Sequence, residues 1–131
     1  MKSIKTILGN TRRPDISFSS NGRIEISSHI VKSLDMRKGD IIDIMTGGEE
    51  YYLYISCRAP DVFGRHEAQC YPTQKGSRHF RAYCRRLCSA ILTASPGSTT
   101  VCFAAGEVTE INGHKAIPII TRKNLTHEQR N

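Results

Sequence analysis

Four arginines, Arg78, Arg81, Arg85 and Arg86, stand close together in a stretch that holds no carboxylate between Glu67 and Glu107. A guanidinium offers a planar fork of donors that can grip a phosphate through two hydrogen bonds at once. The surrounding residues predict a helix over 77–92. At about 100° per residue, Phe80, Cys84, Leu87 and Ile91 cluster within about 60°, with Tyr83 beside them. Arg78, Arg81 and Arg85 then share another side, with Arg86 further round. An arginine face without interspersed carboxylates suits phosphate contact, with an affinity that falls steeply as salt rises. The alternative is a solvated face, or one paired with carboxylates from elsewhere in the chain. A second basic set, Lys2, Lys5, Arg12 and Arg13, precedes Pro14. Arms of this kind can follow a minor groove or a run of phosphates.

Cysteine and histidine raise the question of a metal. Cys84 and Cys88 lie four apart, with His66 and Cys70 upstream, and a zinc ion would accept such ligands. No Cys-x2-Cys knuckle accompanies them, and Cys84 falls on the apolar side of the expected helix, so they read as buried free thiols. No metal or other cofactor is expected. Catalytic patterns are lacking: no glycine-rich phosphate loop, no Gly-x-Ser-x-Gly and no His-Glu-x-x-His. His66, Glu67 and His79 carry no spacing that marks a Cys–His dyad. The chain therefore reads as a non-enzyme with no small-molecule substrate. Tyr52 and Tyr54 fall on one face of an expected strand, where they either stack on unpaired bases or cover a sheet.

These residues sit in a basic chain. Its 131 residues carry 19 Lys and Arg against 12 Asp and Glu, a formal net charge of +7 with a pI near 9.4. Such a balance favours a polyanion, nucleic acid before an anionic membrane surface, over charge that serves solubility alone. Hydrophobic residues make up 38%, which predicts a globular chain of about one ordinary domain. No apolar run is long enough for a membrane helix, and the N-terminus lacks the apolar core of a signal peptide. A cytoplasmic location is expected, with the five cysteines reduced and no membrane partner.

The elements that must position these groups read as follows. Residues 1–14 form a basic arm. Ile16 and Phe18 lead to an Asn21-Gly22 turn, a strong hairpin signal, and Arg23 to Ile26 return as a strand. Ser27 and Ser28 can cap a short helix carrying Ile30, Val31 and Leu34. Ile41 to Ile44 and Tyr51 to Ile55 form a second hairpin, closing a unit over 15–57. After a linker over 58–68, the order recurs over 66–121: a strand from His66 to Tyr71, a turn at Lys75-Gly76, the helix over 77–92, a strand from Val101 to Ala104, and an Asn112-Gly113 turn into Ala116–Ile120. A polar tail fills 122–131. Leu34 and Gly39 lie 58 residues before Leu92 and Gly97, and Tyr51 to Ile55 lie 64 before Lys115 to Ile119. Internal duplication is one explanation; coincidence in a small α+β chain is the other.

The run Asn21-Gly22-Arg23-Ile24-Glu25-Ile26, then Ile30 and Leu34, then Lys38-Gly39-Asp40-Ile41-Ile42-Asp43-Ile44 resembles the AbrB/MazE-type (SpoVT-AbrB-like) swapped-hairpin family over residues of about 16–56. The 66–121 segment would be the repeat. The resemblance implies hairpin–helix–hairpin units interleaved into a small barrel whose paired first hairpins present basic side chains to DNA, in transcriptional regulators or antitoxins. Arg23 matches the family's Gly-Arg arginine. Ile16 and Ser17 stand where DNA-contacting basic residues often occur, with Arg12 and Arg13 upstream as substitutes, and Ser27 replaces the proline after the strand. The expectation is an α+β fold: a mostly antiparallel small β-barrel or sheet of about eight strands, with two short-to-medium helices. Its function would be double-stranded DNA binding through phosphate contacts from Arg12, Arg13, Arg23, Arg78, Arg81, Arg85 and Arg86, as a transcriptional regulator or nucleoid-type binder and as a homodimer. The alternatives are an antitoxin-type protein-interaction module, which a basic tail disfavours, and a single-stranded nucleic-acid binder.

Overall fold

Alternation of apolar and polar residues builds most of the molecule. The computed structural model describes residues 14–47, 50–58 and 66–120. β1 (Ile16–Ser19) buries Ile16 and Phe18, and β2 (Arg23–Ile26) buries Ile24 and Ile26. The turn between them depends on Gly22, whose φ of +94° favours glycine and whose N–H donates to the Ser19 carbonyl at 2.9 Å. Asn21 Oδ1 accepts from the Arg23 N–H and braces the turn. α1 (Ser28–Ser33) buries Ile30. Ser27 holds the cap position, but its hydroxyl donates to Asp15 at 3.4 Å rather than capping the helix.

β3 (Ile41–Gly47) and β4 (Glu50–Cys57) form the second hairpin, with Ile42 and Leu53 directed into the core. The chain then adds β5 (Tyr71–Pro72), β6 (Phe80–Tyr83), α2 (Arg85–Leu92), β7 (Thr100–Ala105), β8 (Thr109–Ile111) and β9 (His114–Ile120). Asn112 and Gly113 take φ of +52° and +82° in the β8–β9 turn, as tight hairpin turns require.

All strand pairs are antiparallel, in the order β3-β4-β9-β7-β1-β2-β6-β5, with β8 added beside β9. Strands from the two halves therefore interleave in one sheet, which curls until its edges approach. Ile41 and Gln69 bridge, Gly39 and Asp40 exchange backbone bonds of 2.7 Å with Cys70, and Ile42 N–H donates to Ala68 at 3.1 Å. The concave side holds the core, in which Phe18 and Phe103 meet with ring centroids 6.2 Å apart. Asp40, fully buried at this seam, accepts from Arg58 Nη1 at 2.7 Å and from the Arg37 N–H at the same distance.

Two expectations are corrected. The helix predicted over 77–92 begins only at Arg85; Phe80–Tyr83 is β6, paired with β2. Phe80 and Ala82 point inward and Arg81 and Tyr83 outward, a period of two. Positions four apart, such as Phe80 and Cys84, share a face in a strand as well as in a helix, so the helical pattern borrowed apolar residues from the strand. Cys84 is the junction: its backbone is extended and its sulfur accepts from the Leu87 N–H, capping α2. The strand expected over 66–71 is reduced to the bridge at Gln69 and the two-residue β5, where Pro72 removes a ladder donor. The arm with Arg12 and Arg13, most of the linker and the polar tail lie outside the described residues.

Candidate nucleic-acid interface

β2 and β6 lie side by side because Ile24 and Ala82 face each other in the core. Their outward positions then form a square: Arg23 opposite Tyr83, and Glu25 opposite Arg81. Glu25 accepts from both guanidinium groups on one oxygen, from Arg81 Nε at 2.7 Å and from Arg23 Nε at 3.3 Å. The hydrogen bond that Arg81 donates to Glu25 is the chief cause holding Arg81 above its ordinary pKa. Two cations sharing one carboxylate leave a net positive charge. Each guanidinium also keeps donors beyond its Nε–H for an outside anion.

β5 extends this face by one residue pair, Tyr71 opposite Arg81. Tyr71 and Tyr83 are the large hydrophobic side chains exposed among the described residues, at 44% and 57%. They flank a cavity of about 360 Å³, lined also by Arg81, His66, Gln69 and Pro72. On its other side Arg81 lines a second cavity, of about 420 Å³, with Ser17, Glu25, His79 and Cys102.

The remaining arginines are placed differently from one another. Arg85 starts α2 against the β1–β2 turn, where a Cβ on Gly22 would stand 2.9 Å from Arg85 Cγ and the Cys84 N–H donates to the Gly22 carbonyl at 2.8 Å. Arg85 makes no ion pair among the described residues, and neither does the exposed Arg78 in the β5–β6 loop. Arg86 is committed: its Nε and Nη2 reach Glu67 Oε1 at 3.1 and 2.5 Å. The structure thus joins Arg23 and Arg81 through Glu25, sets Arg85 beside the β1–β2 turn and leaves Arg78 in the β5–β6 loop. The single arginine-lined helical face expected from the sequence is not formed, because Arg78 lies in a loop and Arg81 on a strand.

Sequence reasoning missed Tyr71, Tyr83 and the bridging role of Glu25. The alternation Arg23-Ile24-Glu25-Ile26 does place Glu25 beside Arg23, but its second partner depends on a strand pairing across 56 residues. Tyr52 and Tyr54, the tyrosines suggested for stacking, are engaged within the protein. Tyr52 donates to Glu50, and Tyr54 meets His114 at 4.8 Å between centroids. The phenol of Tyr54 titrates above its ordinary range, mainly through burial and then through Asp43.

Cys70, Cys84 and Cys88 are buried, whereas Cys57 and Cys102 are exposed. Burial, followed by the Asp40 carboxylate, pushes the Cys70 thiol up to about 12. Burial also raises Cys88, whose thiol donates to the Arg23 carbonyl at 3.7 Å. Among the described residues no three His, Cys, Asp or Glu side chains gather as a metal site, and no helix is long and apolar enough to cross a membrane. No family model, curated protein or solved structure matches the chain.

Proposed function

We propose that the chain binds double-stranded DNA through the outer face of β1, β2, β6 and β5. It would act as a transcriptional regulator or nucleoid-type binder, and as a single-chain counterpart of the swapped-hairpin fold it resembles. The observation that carries this reading is the β2–β6 pairing, which joins the first hairpin of each half and sets Arg23 and Arg81 diagonally on one exposed face.

The registers support a duplicated unit behind that face. Ile24 lies opposite Ala82, 58 residues later, so Arg23 opposite Tyr83 is matched by Arg81 opposite Glu25. Across the sheet Leu53 lies opposite Ile117, 64 residues later, so Tyr52 opposite Pro118 is matched by Tyr54 opposite Ala116. These are the two spacings at which the halves of the sequence line up. A pseudo-two-fold axis through both pairs accounts for them, and it makes Arg81 the equivalent of Arg23. One chain would then supply both halves of the barrel, a role that two chains share in a homodimer.

The test is binding of a fluorescent random-sequence duplex at roughly 50 and 200 mM salt. A protein that neutralises several phosphates loses orders of magnitude in affinity over this range. The triple variant Arg23→Ala/Arg81→Ala/Arg85→Ala is expected to bind more weakly and with a shallower salt dependence. Wild-type protein that binds no duplex at low salt would overturn the reading in favour of a protein-interaction module.

A further inference from the structure

We propose that Tyr71 and Tyr83 form a slot for one unpaired nucleobase, with Arg81 between them placed for the adjoining phosphate. This deepens the nucleic-acid reading and rests on it.

The slot follows from sheet geometry. Tyr71 is the direct cross-strand neighbour of Arg81, and Tyr83 is two residues further along β6 on the same face. The two tyrosines are therefore diagonal neighbours, within reach of aromatic side chains, and both border the same cavity. A planar ring seated there would lie in van der Waals contact, about 3.5–4 Å, with each phenol. The cavity of about 360 Å³ is of a size to hold a base and its sugar.

Charge selects among planar ligands. Arg81 forms part of the cavity wall, where it also interacts with the Tyr83 hydroxyl, and Glu25 engages its Nε. Among the described residues, the side chains that line the slot include no carboxylate, whereas Arg81 is cationic. A nucleotide matches that combination: a flat ring for the tyrosines and an anion for Arg81. A base within a duplex is already stacked on both faces, so the occupant is a base at a single-stranded end, gap or bulge, or one swung out of the helix.

The measurement compares a 20-base-pair duplex with the same duplex carrying a six-nucleotide single-stranded extension. Fluorescence anisotropy is read for wild type, Tyr71→Ala/Tyr83→Ala and Tyr71→Phe/Tyr83→Phe. Stacking of one base corresponds to roughly a fivefold or greater change in affinity. The extension is expected to tighten wild-type binding by at least that factor. The alanine pair should lose this gain, and the phenylalanine pair, which retains both rings, should keep it. Circular dichroism establishes that each variant is folded. Equal wild-type affinity for the two probes, with duplex binding intact, overturns the slot and leaves the DNA reading standing. An extension bound through the tyrosines without any affinity for the duplex supports the slot and overturns the duplex reading. Binding of neither probe overturns both.

Discussion

Glu25→Gln separates the two roles of the Arg23–Glu25–Arg81 cluster, because stability and affinity are expected to move in opposite directions. Glu25 is 34% exposed and its partners are 45% and 38% exposed, so each ion pair takes the value of a solvent-screened surface contact, about 0.2–1 kcal/mol. Glutamine keeps one acceptor oxygen. The expected loss is about 0.5–1.5 kcal/mol in all, or roughly 2–5 °C in Tm for a chain of this length. On DNA the sign reverses. A carboxylate about 7 Å from a phosphate in water-like surroundings repels it by about 0.6 kcal/mol, and more than one phosphate lies within reach. Removing it should tighten duplex binding about three- to fivefold near 50 mM salt, and by less than twofold near 200 mM, where screening shortens the interaction. The assay pairs a thermal melt with anisotropy at both salts. A folded variant that binds the duplex no more tightly than wild type at low salt would refute the placement of phosphates on this face. A gain of equal size at both salts would refute its electrostatic origin.

Two further perturbations test the fold beneath the face. Gly22→Ala forces a side chain into φ +94° and brings a Cβ within 2.9 Å of Arg85 Cγ; the expected loss is about 1–3 kcal/mol, read as a lower urea midpoint with an unchanged slope. The thiols test burial: a thiol reagent near pH 8 should modify Cys57 and Cys102 rapidly and leave Cys70, Cys84 and Cys88 protected in the folded protein. Because folding raises the Cys70 pKa from 9.0 to about 12, its neutral thiol favours the folded state fully below about pH 9, and that contribution is lost as pH climbs through about 12. Cys70→Ala should accordingly flatten the alkaline limb of the stability curve, and Cys70 labelling as fast as Cys102 would contradict its burial.

The first hairpin, α1 and the second hairpin are legible in the sequence because each is specified locally. Gly22 supplies the turn, Ile24 and Ile26 alternate with charge, and Ile30 and Leu34 share one helical face. The second half is less legible because its governing contacts are distant. Phe80 to Tyr83 become a strand because β2 offers them an edge and the core offers a place for Phe80 and Ala82. Without that partner the same residues satisfy a helical period. The site follows the same division. Arg23 and Arg81 could be named as cations, but the shared Glu25 and the Tyr71–Tyr83 diagonal exist only once β2, β6 and β5 are aligned. Arg86 shows the converse: an arginine that seemed free in its own stretch is held by Glu67, 19 residues earlier.

If the halves are copies, their departures from symmetry bear on what the protein can recognise. A homodimer presents the same side chains on both sides of its axis, and its DNA sites tend to mirror that symmetry. Here the spacing of 58 relates Arg23 to Arg81 but relates Glu25 to Tyr83. One side of the face therefore carries a carboxylate that tethers both arginines, and the other carries two exposed rings. Fusion of two units into one chain permits this divergence, because each half can change without altering the other. A fused, asymmetric face has no reason to prefer a palindrome. It is better matched to a ligand whose two sides differ, such as a duplex that ends, gaps or opens next to the tyrosines while the arginines hold its phosphates.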